Sequence, residues 1–301
     1  MTTLGLIGLG PMGKNYLKVI AEIPNSQIKY ICSKSKKSLK TFPKDKIKTT
    51  DYKNFLNFPL DGVIIATPSI THNEIASFFI ERKIPVLIEK PLTLNYQNAK
   101  DLAQLQKKKG TKVLVGHTLL YNPAFRDFKK NTKKIGKIIS IEFVGANDKP
   151  RKDDSVLFDW GSHGVSIILD LLDQEPTGYK VNSYSKNKKQ INTISAELNF
   201  KGNIKAYLNL NWKSRNKIRK IIVRGSKGEA IFDDLSDKKI SLSQINSSNI
   251  TFPKYLDGQP LVLELQEFIN AIKKGHKIYS DINYGLRVVK ILSKIEKLIK
   301  G

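Results

Sequence analysis

Residues 4–13 read Leu4-Gly5-Leu6-Ile7-Gly8-Leu9-Gly10-Pro11-Met12-Gly13. The run Leu4–Gly8 has the apolar character of a parallel strand, and Gly8, Gly10 and Gly13 fall on a G-x-G-x-x-G spacing. A helical pattern, Met12–Ile23, follows directly. In that context each glycine answers a separate demand. Gly8 permits the tight turn, Gly10 lets a pyrophosphate approach the backbone, and Gly13 lets helix pack on strand. The first helical turn, with Pro11 and Met12, then offers free N–H groups and a positive dipole end to the phosphates. Without a ligand the same spacing would be only a tight strand–helix turn.

Working outward, β-rich runs alternate with helical ones. Strands are expected at Ile28–Cys32, Gly62–Ala66, Val86–Glu89 and Val113–Gly116, with helices at His72–Arg82 and Tyr96–Lys108. This alternation predicts βαβ units and a parallel sheet, and Gly110 stops the last helix. After residue 118 the pattern changes. Helices are expected at Pro123–Lys134 and Gly161–Leu172, and strands at Lys137–Val144, Ile194–Phe200, Ile204–Trp212, Ile218–Arg224, Glu229–Asp233 and Lys239–Gln244. Short turns between successive runs indicate an antiparallel sheet, with 186–189 as an exposed loop. Helices Leu261–Lys274 and Ile282–Lys300 close the chain. The expected fold class is α/β: an N-terminal Rossmann dinucleotide-binding domain over residues 1–118 and a C-terminal α+β domain over 119–301. The second domain carries a large, mostly antiparallel open sheet, and the last helix packs back on the first domain.

Composition narrows the function. At 301 residues and 40% apolar content, the chain can bury two cores and is neither disordered nor collagen-like. Its single cysteine, Cys32, excludes an internal disulfide. The N-terminus lacks a basic and apolar leader, and no run reaches the roughly 18 apolar residues of a spanning helix. A cytoplasmic protein away from membranes is expected. The net charge of +25 invites a nucleic-acid reading, yet it divides as +11 over residues 1–118 and +14 over 119–301. It also consists of 45 Lys against 7 Arg, whereas phosphate and base readers favour the planar fork of Arg. Dispersed lysine reads as a solvated surface, and no specific nucleic-acid partner or metal site is expected.

Cofactor preference is partly legible. An NAD site places Asp or Glu about 20 residues beyond the glycines to bind the ribose 2′-hydroxyl. Here the strand Ile28–Cys32 ends in Ser33-Lys34-Ser35-Lys36-Lys37. A hydroxyl at Ser33 with cations at Lys34 and Lys37 would accept a 2′-phosphate, and no carboxylate repels it. NADP(H) is favoured over NAD(H).

Three further segments complete the pattern: Ala66-Thr67-Pro68, Ile88-Glu89-Lys90-Pro91-Leu92 at a strand end, and Phe158-Asp159-Trp160-Gly161-Ser162-His163 opening a helix. With the glycines, they resemble the Gfo/Idh/MocA oxidoreductase family (glucose–fructose oxidoreductase, inositol dehydrogenase and relatives) over essentially the whole chain. The resemblance implies an NAD(P)-dependent dehydrogenase or reductase acting on a secondary alcohol or ketone of a sugar, cyclitol or sugar nucleotide. It implies a homo-oligomer, dimer or tetramer, with Thr67, Pro68, Glu89, Lys90 and Pro91 near the cofactor and a cis bond before Pro91.

The residues support that chemistry independently. Lys90 ends a parallel strand, where open α/β sheets bind ligands, and its ammonium can stabilise a developing alkoxide. His163 follows Asp159 by four residues, so the two share a side of the chain. Imidazole suits a general base for an alcohol proton, and Asp159 orients the ring or touches the substrate. His72 contacts the cofactor or caps its turn. His117, Tyr121 and Asn122, in the segment between the domains, are substrate contacts or packing residues. Trp160 stands where the family commonly has smaller aliphatic residues and is a further candidate for the substrate pocket. Arg151 and Lys152 meet a phosphate or carboxylate on the substrate, or belong to a solvated loop. A non-catalytic dinucleotide-binding sugar sensor is the alternative from another class.

Overall fold

The computed structural model describes residues 1–300 apart from 43–44, 152–153, 188–189 and 246. In chain order the elements begin β1 (Thr2–Ile7), α1 (Pro11–Val19), β2 (Ser26–Cys32), α2 (Lys36–Lys40) and β3 (Ile47–Thr49). Next come β4 (Gly62–Ile65), α3 (His72–Glu81), β5 (Val86–Glu89), α4 (Tyr96–Lys109), β6 (Val113–Gly116), α5 (Pro123–Asn131), β7 (Ile138–Ala146) and α6 (Val156–Leu172). The chain continues with β8 (Gly178–Asn187), β9 (Gln190–Asn199), β10 (Lys205–Asn211), β11 (Ile218–Gly225), β12 (Gly228–Asp233), β13 (Ile240–Gln244) and β14 (Ile250–Thr251). Helices α7 (Pro260–Lys274) and α8 (Ile282–Lys300) end it.

Two compact units result: Met1–Thr118 with Gln259–Val289, and Leu119–Gly258 with Lys290 onward. The chain passes from the first unit to the second after Thr118, and Gln259–Val289 belongs to the first unit. The reason is packing that only the fold reveals. Leu265, Phe268 and Ile269 of α7 are buried, and a Cβ on Gly62 would lie 3.2 Å from Phe268. Ser280 also satisfies the outer edge of β6, accepting from Val115 N and donating to Val115 O, each at 2.8 Å.

The first unit contains a parallel sheet in the order β3-β2-β1-β4-β5-β6. Its order reverses between β1 and β4, the switch point at which such sheets bind ligands. The register pairs Ile7 with Ile65 and Ile65 with Ile88, so Gly8, Ala66 and Glu89 leave the sheet along one carboxyl edge. Helix α4 stops at Gly110, whose φ is +68°. The short β3 and α2 were not anticipated, because three half-buried residues and one helical turn carry no readable period.

In the second unit the sheet order is β14-β13-β12-β11-β7-β10-β9-β8. It is mixed: β7 lies between β10 and β11, parallel to the former and antiparallel to the latter. The runs around 204–212 and 218–224 are therefore not a hairpin, although a short turn joins them. Strand β8 was missed because an edge strand of sequence Gly-Tyr-Lys-Val-Asn-Ser-Tyr-Ser-Lys-Asn shows no buried stripe. Lys186 and Asn187, expected in a loop, end that strand, while 188–189 lie outside the described residues. Ile141 and Phe143, Ala196 and Leu198, and Ala206 and Leu208 alternate onto one buried face. Helix α6 lies against it, since a Cβ on Gly164 would come within 2.6 Å of both Leu208 and Phe143.

Candidate active site

The three glycines separate by what surrounds them. Gly8 has φ +99°, and a Cβ there would lie 2.4 Å from the Ala66 carbonyl oxygen. At Gly13 a Cβ would lie 2.0 Å from the Gly8 carbonyl oxygen, so helix α1 could not close on β1. Gly10 differs from both. Its φ of −70° suits any residue, and nothing lies within 4 Å of its Cβ position. Among the described residues nothing crowds this position, so its backbone is open to a ligand's approach. The space that a Cβ on Gly10 would fill, at the open end of a nine-residue helix, fits a dinucleotide pyrophosphate. Pro11, Met12 and Gly13 form that helix's first turn, which holds no acidic side chain.

Beyond β2 the chain is tied down locally. Ser33 Oγ accepts from Ser35 N and Ser35 Oγ accepts from Ser38 N, each at 3.2 Å. Lys34, Lys36 and Lys37 are exposed around this turn.

Lys90 is buried at the end of β5, and the Lys90–Pro91 bond is cis, as the resemblance implied. Both its neighbours are fixed. On one side the Tyr16 hydroxyl donates to Glu89 Oε1 at 2.7 Å and lies 3.1 Å from Glu264 Oε1. On the other, His72 Nδ1 lies 2.8 Å from Pro91 O and Nε2 lies 3.0 Å from Thr67 O. His72 thus bridges the Thr67–Pro68 turn to the Lys90–Pro91 turn, and neither ring nitrogen is left for a ligand. Burial pulls its pKa below the usual histidine value, the Lys90 charge adds to this, and the carbonyl contacts oppose it. Thr71 Oγ1 reinforces the turn with contacts to Thr67 Oγ1 at 2.7 Å and Pro68 O at 2.8 Å.

His117 is placed differently. It is buried against Tyr284 with ring centroids 5.9 Å apart, and neither nitrogen has a partner among the described residues. Burial, followed by the Lys90 charge, pushes its pKa down to about 3, so the ring is neutral at physiological pH. A buried neutral imidazole with two unmatched polar atoms suits a ligand's hydroxyl.

In the second unit α6 starts at Val156, five residues before the expected start, because Ser155 Oγ accepts from Phe158 N at 3.4 Å. Asp159 is therefore inside the first turn and not on the entering loop. From Val156 to Asp170 every residue except His163 is buried. Asp159 pairs with Arg151 Nε at 3.0 Å, and Arg151 is half-exposed. Lys152 lies outside the described residues. Trp160 is buried over Gly145, where a Cβ would come within 2.8 Å of the indole, and its ring centroid is 5.8 Å from that of His163. Behind it stands Arg219, 5.5 Å from the ring centroid and 2.6 Å from Asp234 Oδ2. Asn122 completes this chain, donating to Asp234 Oδ1 at 3.1 Å while its own Oδ1 accepts from Ala124 N at 3.0 Å to cap α5. Tyr121 is buried beneath the Arg126 guanidinium. The structure gives Tyr121 and Asn122 local jobs in packing and capping. Among the described residues no group of three or more His, Cys, Asp or Glu side chains is arranged to hold a metal.

Residues 2–117 match the GFO_IDH_MocA model, an oxidoreductase family with an NAD-binding Rossmann fold. Over this domain the chain is similar to the Gfo/Idh/MocA family. The uncharacterized oxidoreductase YrbE of Bacillus subtilis is 25% identical over 206 residues, 64% of this chain and 59% of YrbE. The chain thus spans less than two thirds of that relative's length. UDP-N-acetylglucosamine 3-dehydrogenase of Acidithiobacillus ferrooxidans is 22% identical over 294 residues, 95% of this chain and 93% of its own. The crystal structure of a putative oxidoreductase from Magnetospirillum magnetotacticum MS-1 matches with a TM-score of 0.86 at 29% identity, covering 97% of this chain and 98% of that one.

The motif segments did not reveal every residue around Lys90. Tyr16 and Glu264 were overlooked. A signal existed for the second, because Glu264 sits three residues after Leu261 and four before Phe268, inside the apolar stripe of α7. An acid at a core-facing position is a buried charge in need of an explanation. Arg219 and Asp234 gave no such signal, since Arg219 is one of several cations on β11, Asp234 lies in the polar turn after β12, and the two meet only through the sheet.

Proposed function

We propose that the protein is an NAD(P)-dependent oxidoreductase that moves a hydride between its cofactor and a secondary alcohol or ketone of a sugar, cyclitol or sugar nucleotide. The observation that carries this reading is Lys90, held at the carboxyl edge that also carries the Gly10 cradle, with both neighbours fixed by buried contacts. When bound, the nicotinamide supplies the carbon that accepts or donates hydride. Lys90 Nζ hydrogen-bonds the substrate oxygen and stabilises the alkoxide that develops on it. In the oxidative direction His163, half-buried between buried residues of α6, takes the hydroxyl proton, and Asp159 orients. His117 offers its unmatched nitrogens to another substrate hydroxyl.

A sugar nucleotide is favoured within the substrate range. A relative aligned over nearly the whole chain is a UDP-N-acetylglucosamine 3-dehydrogenase, and the half-exposed Arg151 supplies a cation beside Asp159. NADP(H) is favoured over NAD(H), because Lys34, Lys36 and Lys37 surround the end of β2 and residues 33–37 contain no carboxylate.

A spectrophotometric screen of NADP+ and NAD+ against sugars, inositols and UDP-sugars tests the reading. Lys90→Ala is expected to bind cofactor and lose nearly all turnover, and full activity in that variant overturns the mechanism. Tighter binding of NADH than NADPH, unaltered by Ser33→Asp, overturns the cofactor preference.

A further inference from the structure

We propose that Tyr16, Glu89 and Glu264 form a proton-sharing chain at neutral pH, in which Glu264 is an un-ionised carboxylic acid that donates to Tyr16 while Tyr16 donates to Glu89. The chain fixes Glu89 beside Lys90, which makes Tyr16 and Glu264 positioning residues for the proposed reaction.

The argument is a count of hydrogens. A tyrosine hydroxyl carries one, and an ionised carboxylate carries none. Tyr16 Oη stands 2.7 Å from Glu89 Oε1 and 3.1 Å from Glu264 Oε1. If both carboxyls were ionised, one of these contacts would set an anionic oxygen against a lone pair with no hydrogen between them. One additional proton removes the conflict and makes both contacts hydrogen bonds. No bond to carbon changes, and no further reactant is needed.

Three observations place that proton on Glu264. The shorter contact is to Glu89, as expected when the acceptor is charged. Glu264 is fully buried, and its Oε2 has no partner among the described residues, an environment that penalises a carboxylate far more than an acid. Burial and then the Glu89 charge hold its pKa well above the usual carboxylate range, outweighing the opposite pull of its hydrogen bonds with Tyr16 and Thr118. The groups facing it are Glu89 on β5, Tyr16 on α1, the Thr118 hydroxyl after β6, and Glu267 on its own helix. Tyr16 keeps its own hydrogen, since burial and both glutamates push its pKa up. Three elements distant in sequence thus converge on one proton directly behind the Lys90 turn.

Infrared difference spectroscopy on the full chain tests the assignment without any activity. At pH 7 the wild type is expected to show the carbonyl stretch of an un-ionised carboxylic acid, shifted in D2O, absent in Glu264→Gln and displaced in Tyr16→Phe. No acid band at pH 7, or a band that survives Glu264→Gln, overturns the proposal. The positioning role rests on the proposed function and has its own readout. Tyr16→Phe and Glu264→Leu are expected to lower kcat by about tenfold to a hundredfold with little change in cofactor affinity. Glu264→Gln, whose amide still donates to Tyr16, is expected to recover much of that loss and to remove the alkaline limb of the kcat profile. Equal kcat in Glu264→Leu and wild type, or an alkaline limb kept in Glu264→Gln, overturns the positioning role. A protein that shows the acid band but turns over none of the screened substrates refutes the functional reading and leaves the proton assignment standing.

Discussion

Gly10→Ala and Gly13→Ala, made side by side, separate a ligand's demand for glycine from the fold's. At Gly10 the backbone has φ −70° and the Cβ position is open to 4 Å. Alanine there restricts the unfolded chain, worth about 0.4–1 kcal/mol in favour of folding, and is a poorer helix cap than glycine by roughly 0.5–1 kcal/mol. The two nearly cancel, so stability is expected to stay within about 1 kcal/mol of wild type. The same methyl occupies the approach of the pyrophosphate and is expected to weaken dinucleotide binding by about tenfold to a hundredfold, or ~1.4–2.8 kcal/mol. At Gly13 the methyl would sit 2.0 Å from a backbone carbonyl oxygen, which cannot rotate away. Overpacking costs typically about 1–3 kcal/mol, and each kcal/mol lowers Tm by roughly 2–4 °C in a unit of this size. The assay is NADPH fluorescence titration and thermal unfolding on the same preparations. Wild-type affinity in Gly10→Ala would show that no ligand uses the open cradle. A loss of stability in Gly10→Ala as large as in Gly13→Ala would show that the fold, and not the ligand, explains the glycine.

Titration of buried groups gives two further outcomes. His117 has a pKa lowered to about 3, so the unfolded chain binds a proton below the ordinary histidine value that the folded chain refuses. Stability is expected to fall as pH drops through that window, by about 1.4 kcal/mol per pH unit for this group, and His117→Phe, which keeps a ring against Tyr284, should flatten the loss in Tm between pH 6 and pH 4. Glu264 has the opposite sign: its folded pKa is raised, so its cost is absent below the ordinary glutamate value and grows with pH above it. Glu264→Gln is therefore expected to gain stability over wild type by about 1.4 kcal/mol per pH unit until the folded acid ionises, and a pH-independent difference in Tm would contradict the buried acid. Asn122→Ala should destabilise by about 1 kcal/mol through loss of the α5 cap, and Asn122→Ser should restore most of it in chemical denaturation. A change in KM with no change in stability would instead place Asn122 on the substrate.

What the sequence discloses depends on how local the cause is. The glycine turn, the buried parallel strands and α4 with its Gly110 stop follow from a few adjacent residues and were legible at nearly residue precision. Strand β8 was not, because an edge strand need not alternate, and β7 gives no local sign that it will separate β10 from β11. The membership of Gln259–Val289 in the first unit was equally hidden, since its partners, Gly62 and Val115, lie about 150 residues or more earlier. At the site, Lys90, Asp159 and His163 were named from motif and chemistry. The partners that constrain the first two, Tyr16, His72 and Arg151, acquire meaning only when the sheet edge and the start of α6 are known.

The two contacts flanking Lys90 have a common form that sharpens the case for its chemical role. A neutral imidazole has one N–H, yet His72 faces two carbonyl oxygens; a phenol has one O–H, yet Tyr16 faces two carboxyls. The histidine side therefore offers one acceptor more than a neutral ring can serve, and the tyrosine side is matched only by the extra proton on Glu264. A turn selected for stability alone would favour apolar packing at such buried positions, because burying polar groups costs free energy that their hydrogen bonds only offset. These buried polar contacts lie on either side of one lysine and draw on four otherwise unrelated segments: α1, the start of α3, β5 and α7. Their shared effect is to hold the Glu89 carboxylate and the Pro91 carbonyl, and with them the backbone that aims Lys90. Backbone rigidity at the carboxyl edge of a parallel sheet matters most when a side chain must meet a reacting atom, since misplacement by about 1 Å can cost a hundredfold in rate. That anchoring, built at both neighbours of one residue, is what distinguishes Lys90 from the other lysines of this strongly basic chain.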